Sequence, residues 1–240
     1  MPKSNVLSVL RLILLCVVLA SSVTAQDSRQ QAQSVDVTAK MHFLSYFPEG
    51  YDKDTDKKWP LLIFLHGAGE RGTDLNLVKK WGPPKMIAQG KDLPLIVVSP
   101  QCPENSYWNL KHLDQLIESV IKNNRVDEKR IYLTGLSMGG FGTWALTALH
   151  PEKFAAIAPI CGVGDLETAE LLLDVPIWAF HGEDDKVVPV SGTIDIVEAI
   201  KAKGGTKAKM TVYEGVGHNS WSTTYANPEL IEWFLKHKKN

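Results

Sequence analysis

From Leu61 onward the chain repeats one pattern: a short, continuous apolar or β-forming run, a turn, then a segment with helical spacing. The runs are Leu61–Leu65, Leu95–Ser99, Ile131–Thr134, Ala155–Ile160, Ile177–Phe180 and Lys209–Tyr213. A strand with one wet face alternates apolar and polar residues. A run without alternation needs cover on both faces, and a parallel sheet flanked by helices supplies it. The segments between the runs suit such helices. Leu113, Leu116, Ile117, Val120 and Ile121 form one apolar stripe. Ile194, Val197 and Ile200 form another, with Ser191 in place to cap it. A last helix opens at Asn227-Pro228-Glu229, a cap residue, a proline for the first helical position and an acid for the first turn, and turns Leu230, Ile231, Phe234 and Leu235 inward. Ahead of all this, Val35–Phe47 alternates and reads as one or two antiparallel lead-in strands. The expected fold is α/β, a mostly parallel central sheet with helices on both faces. The connection from Gly162 to Val175 has room for one helix but for no large cap domain.

The first residues do not belong to that pattern. Lys3 and Arg11 precede the apolar run Leu12–Ala20, and Val23-Thr24-Ala25 offers small residues for cleavage. Residues 1–25 therefore read as a secretory signal, cut near Ala25–Gln26, and the run is too short for a lasting span. Cys16 follows Leu15, where lipid attachment wants a small residue, so a lipoprotein is not expected. Residues 26–34 read as a flexible start of the exported chain, and residues 35–240 as a single domain. Cys102 and Cys161 remain after cleavage. An exported protein can pair two such cysteines, but two free buried thiols are the favoured reading. A formal net charge of -1 points to no nucleic acid and no anionic membrane surface. No Cys/His/carboxylate cluster has metal-site spacing.

Gly135-Leu136-Ser137-Met138-Gly139 follows the strand Ile131–Thr134 and opens a helix over Met138–His150. The G-x-S-x-G pattern suits a tight strand-to-helix turn that presents Ser137 as a nucleophile, with glycines where a side chain would crowd the turn. The turn aims the Met138 N–H at a developing oxyanion. The loop His66-Gly67-Ala68-Gly69-Glu70-Arg71-Gly72 follows the strand Leu61–Leu65, and Ala68 is its best-placed second donor. A serine nucleophile needs a base, and the base needs an orienting acid. His181-Gly182-Glu183-Asp184-Asp185-Lys186-Val187-Val188-Pro189 offers three adjacent acids; Asp185 fits best and Asp184 is the runner-up. His218, between Gly217 and Asn219 after the last strand, is the base. His66 and His181 stand at strand ends where packing accounts for them, and His42, His112, His150 and His237 have no supporting context. Trp108, Asn219 and Trp221 are candidate substrate contacts; Glu70 and Arg71 either pair with each other or reach substrate.

Taken together, HGAGERG, SPQCPENSYWN, TGLSMGGFGTW, HGEDDKVVP and GVGHNSWSTTY resemble the secreted esterase/predicted-peptidase branch of the α/β hydrolases, related to dienelactone-hydrolase, phospholipase/carboxylesterase and prolyl-oligopeptidase catalytic domains. The resemblance runs from about Lys40 to the C-terminus. It implies a catalytic triad of Ser137, Asp185 and His218, and an oxyanion hole of Ala68 and Met138, with no metal or organic cofactor. The implied reaction is acyl transfer on small-molecule or carbohydrate-linked esters, with no nucleic-acid partner and no stable membrane span once the signal is removed. A serine peptidase on short peptides is the alternative, although the propeller and large lid of true oligopeptidases are missing from this sequence. A binding protein that kept the fold without the chemistry is the third reading.

Overall fold

A computed structural model describes residues 29–36 and 40–240; the expected signal segment lies outside them. Among the described residues, eight strands form one sheet in the order β1-β2-β4-β3-β5-β6-β7-β8. They are β1 (Gln30–Asp36), β2 (Lys40–Tyr46), β3 (Trp59–Leu65), β4 (Ile96–Pro100), β5 (Val126–Leu136), β6 (Ala156–Ile160), β7 (Ile177–Gly182) and β8 (Ala208–Tyr213). The pairings β1–β2 and β2–β4 are antiparallel, and every pairing from β4 to β8 is parallel.

The apolar runs are continuous because both faces of the sheet are covered. Leu61, Ile63 and Leu65 of β3 point to one side, and Leu62 and Phe64 to the other. On the first side the cover is α2 (Leu110–Asn123), α3 (Met138–Leu149) and α4 (Val190–Ala202), through residues such as Leu116, Trp144 and Ile196. On the second it is α1 (Gly82–Ala88), α5 (Ser220–Ala226) and α6 (Glu229–Lys236), through Ile87, Tyr225 and Phe234. Cys102 belongs to the first core and Cys161 to the second, and both thiols are free and buried. The segment after β6 holds one irregular helix, Leu166–Leu172.

Five details differ from the sequence reading. The first strand begins at Gln30, so residues 30–34 are an edge strand rather than a flexible lead, with Gln30 opposite Tyr46. β5 begins at Val126, well ahead of Ile131: Trp59 pairs with Val126 and Leu61 with Ile131, so the charged Asp127-Glu128-Lys129-Arg130 forms a bulge. Ser191 does not cap α4. It lies inside the helix, which starts after Pro189 without a side-chain cap. The inward stripe of α4 is Thr193, Ile196, Val197 and Ile200, with Ile194 only half-buried. Pro228 takes the N-cap position of α6, and Asn227, one residue ahead of it, accepts the Glu229 N–H on its Oδ1 at 3.0 Å.

Candidate active site

The six parallel strands, β3 to β8, deliver the loops that follow them to one end of the sheet. Ser137 sits where β5 gives way to α3, at φ 51° and ψ -117°. That is a costly conformation for a residue with a Cβ. Several contacts hold it there. The Ser137 N–H donates to Ile160 O at 2.9 Å and contacts Cys161 Sγ at 3.3 Å. The turn also lets α3 start against β3: a Cβ on Gly139 would stand 2.0 Å from Leu65 O.

His218 reaches Ser137 from the loop after β8. Its Nε2 lies 2.9 Å from Ser137 Oγ, and its Nδ1 lies 2.7 Å from Asp185 Oδ2. The loops after β7 and β8 can approach this closely because position 182 carries no side chain; a Cβ there would stand 2.3 Å from both Val216 O and Gly217 O. Of the three adjacent acids, Glu183 and Asp184 are exposed, while Asp185 is buried and faces the histidine. Asp185 Oδ1 accepts the N–H groups of Val187 at 2.8 Å and Val188 at 2.9 Å. Burial opposes ionisation of Asp185, but His218 and these two N–H groups outweigh it and hold the carboxyl below its ordinary range.

His181 belongs to this site, which its strand-end position did not disclose. It is fully buried, and its Nε2 lies 3.1 Å from Asp185 Oδ2 and 2.8 Å from Val188 O. A carbonyl only accepts, so Nε2 carries a proton. Nδ1 lies 2.7 Å from Thr193 Oγ1, which explains the polar residue on the inward stripe of α4. Asp185 thus has four donors on two oxygens, two of them histidines.

The loop after β3 is a single 3-10 turn, Ala68–Glu70, held from all sides. Trp108 Nε1 donates to His66 O at 3.3 Å, Arg71 Nε to Ala68 O at 2.9 Å and Gln101 Nε2 to Glu70 O at 3.0 Å. His66 Nε2 accepts the Cys102 N–H at 3.0 Å, leaving its proton on Nδ1 to donate to Gly67 O at 2.6 Å. Gly67 lies against Leu136, the residue before Ser137. Ala68 and Met138 are therefore on neighbouring segments beside Ser137.

The expected substrate contacts are placed less uniformly. Trp108 is buried behind the loop, its ring 4.7 Å from that of His66. Glu70 and Arg71 do not pair with each other. Glu70 turns inward to the Gly67 N–H, and Arg71 ties Ala68 O to Ser106 O. Asn219 is exposed and accepts the Ser222 hydroxyl at 2.7 Å. Trp221 alone of these touches the triad candidates, edge-on to His218 at 5.3 Å. Tyr107, 80% exposed, and Val187, 69% exposed, stand out on the surrounding loops and went unremarked in the sequence.

Burial drags His66 from its ordinary value near 6.5 down to about 4. The folded protein then binds fewer protons than the unfolded chain between those limits. The His66 contribution is complete above pH 6.5 and falls as pH drops toward 4, by roughly 3 kcal/mol in all. Urea midpoints measured across that window are expected to fall more steeply with acid for the wild type than for His66→Gln. Equal slopes would show that His66 is not the titrating group.

The phospholipase/carboxylesterase family matches residues 104–229. An endo-1,4-beta-xylanase/feruloyl esterase of Xylanibacter ruminicola is 32% identical over 202 residues, 75% of this chain but 27% of that protein. A probable feruloyl esterase C of Aspergillus terreus is 26% identical over 176 residues, 69% of this chain and 63% of its own length. The crystal structure of a thermostable esterase superposes with a TM-score of 0.79 at 36% identity, covering 89% of this chain and 64% of the other. The chain thus spans less than two thirds of each of these relatives. The matched family segment includes Ser137, Asp185 and His218, and the mostly parallel sheet agrees with it: the chain belongs to the phospholipase/carboxylesterase family of α/β hydrolases.

Proposed function

We propose that this chain is a serine carboxylesterase working through an acyl-enzyme. The observation that carries the reading is the unbroken line of hydrogen bonds from Asp185 through His218 to Ser137. His218 Nε2 takes the proton of Ser137 as Oγ attacks the ester carbonyl. Asp185 keeps the proton of the neutral ring on Nδ1 and stabilises the imidazolium that forms. The N–H groups of Ala68 and Met138 bind the tetrahedral oxyanion; collapse expels the alcohol with the proton from His218, and water repeats the sequence on the acyl-enzyme. Relatives named as feruloyl esterases support carbohydrate-linked aromatic esters as the substrate class. Exposed Tyr107 and Val187, on the loops after β4 and β7, and Phe141, in the first turn of α3 after Ser137, offer apolar contact for such an acyl group. The proposed setting is outside the cytoplasm, with residues 1–25 as the export signal and one catalytic domain that takes in the edge strand from Gln30 and runs to residue 240; a relative named as a secreted protein of Arthroderma benhamiae accords with it.

A fluorophosphonate probe tests the reading. Peptide mapping is expected to find the label on Ser137, alongside turnover of p-nitrophenyl butyrate and of feruloyl sugar esters. An intact sample that neither labels nor turns over any of them is a binding protein on a hydrolase fold. Faster cleavage of a peptide anilide than of the esters would make it a peptidase.

A further inference from the structure

Glu70 is a buried carboxylate to which the mechanism above assigns no task. It is 4% exposed, and a buried charge requires partners. Oε2 accepts the Gly67 N–H at 3.1 Å. Trp81, whose indole N–H is its one side-chain donor, bonds the same carboxylate. Lys80 Nζ stands 3.8 Å from Oε1. Burial nevertheless pushes the carboxyl above its ordinary range, against the pull of Lys80 and the two hydrogen bonds.

These partners lead to both halves of the reaction centre. The peptide between His66 and Gly67 is fixed at each end, its carbonyl by the Trp108 indole and its N–H by Glu70. The next peptide carries the Ala68 N–H. Its carbonyl, Gly67 O, is held by His66 Nδ1, so the N–H opposite is turned the other way. In the second direction, Trp81 meets Trp221 edge-on at 5.9 Å, and Trp221 meets His218 edge-on at 5.3 Å. One carboxylate therefore touches the start of the oxyanion loop and the start of an aromatic chain that ends on the base.

We propose that Glu70 is a positioning residue that fixes the Ala68 N–H through Gly67 and the His218 ring through Trp81 and Trp221. It touches neither substrate nor reacting atoms. The proposal rests on the serine-esterase reading, and its test separates the two.

The test compares Glu70→Ala, Glu70→Gln, Trp81→Phe and the double variant Glu70→Gln/Trp81→Phe. For each, kcat and KM on p-nitrophenyl butyrate are measured together with the thermal midpoint. Loss of a whole oxyanion donor costs about 10²–10³ in kcat, so displacement of one is expected to cost about 10–100-fold in Glu70→Ala, with KM within about twofold. An amide keeps one acceptor oxygen and puts an NH₂, a donor, in place of the other, so Gly67 and Trp81 must compete for what the carboxylate offered on two oxygens, and Glu70→Gln falls between Glu70→Ala and the wild type. Trp81→Phe removes the competing donor while keeping a ring against Trp221, and the double variant is expected to regain kcat over Glu70→Gln. If Glu70→Ala does not fold, the Gln pair decides. A lowered midpoint with wild-type kcat in the folded fraction would make Glu70 purely structural and overturn the proposal. So would a double variant no better than Glu70→Gln. A wild type that neither labels with fluorophosphonate nor cleaves ester would overturn the esterase reading and this proposal with it, whereas a labelled, active wild type matched by Glu70→Ala overturns this proposal alone.

Discussion

Asp185→Asn is expected to lower kcat about 10⁴-fold while leaving the chain folded. The reason lies in the donors around the carboxylate. Oδ1 faces the N–H groups of Val187 and Val188, and Oδ2 faces His218 Nδ1 and His181 Nε2. An asparagine has one acceptor oxygen to share among four donors. The two backbone N–H groups cannot move or lose their protons, so the amide oxygen turns toward them and the NH₂ toward the histidines. His218 must then accept at Nδ1, which forces its proton onto Nε2, the atom facing Ser137. A base with a proton already in place cannot take another from serine. His181 suffers as well, because its Nε2 is committed to Val188 O and cannot become an acceptor for the new NH₂. Steady-state kinetics with a thermal midpoint as control checks this. A loss below about 10-fold in folded protein would show that Asp185 does not orient the base.

The second large effect is expected on stability. Gly139→Ala should cost about 3 kcal/mol or more and remove activity from what still folds. The added carbon would stand 2.0 Å from Leu65 O and 2.8 Å from His66 O. These are backbone atoms of β3 and of the loop beyond it, so no side-chain rotation relieves the clash. α3 must lift off the sheet, carrying Ser137 and Met138 away from His218 and Ala68. Gly69→Ala is the control, because a Cβ there meets nothing within 4 Å. In thermal denaturation Gly139→Ala is expected to melt roughly 6–12 °C lower for a chain of this size, and Gly69→Ala near the wild type. Equal midpoints for the two would show that the turn can relax around a side chain.

The central sheet was legible in the sequence because its strands are buried twice. β3 is buried at every position, and a run such as Trp59–Leu65 has no other economical fate. The line Ser137–His218–Asp185 was legible because each residue stands directly after a strand, in a loop where glycine permits close approach. What escaped notice lacked a periodic or positional signal. The start of β5 is followed by Asp127-Glu128-Lys129-Arg130, which breaks the apolar run although the chain is still paired on either side of the bulge. Gln30–Gln33 carries no apolar pattern beyond Ala32, since an edge strand meets little of the core. His181 read as packing, which is half correct: it is wholly buried, but the turn that follows folds Asp185 back onto its ring. Glu70 read as a loop acid that either pairs with Arg71 or reaches substrate, and only its tertiary contacts with Gly67 and Trp81 give it the separate role proposed above.

The order of the strands has a consequence for how the chain comes to be active. β3 pairs with β5 in a register that joins Leu61 to Ile131 and Leu65 to Gly135, so this pairing closes a loop of about 70 residues before it gains its ladder bonds. Ser137 gains its backbone partner from β6 later still, and His218 comes after β8. No early, local piece of this protein possesses any part of the constellation in working form. On the proposed reading, a chain still emerging from the ribosome carries Ser137 as an ordinary serine in a relaxed backbone, and the line to His218 closes only once the last strand is in place.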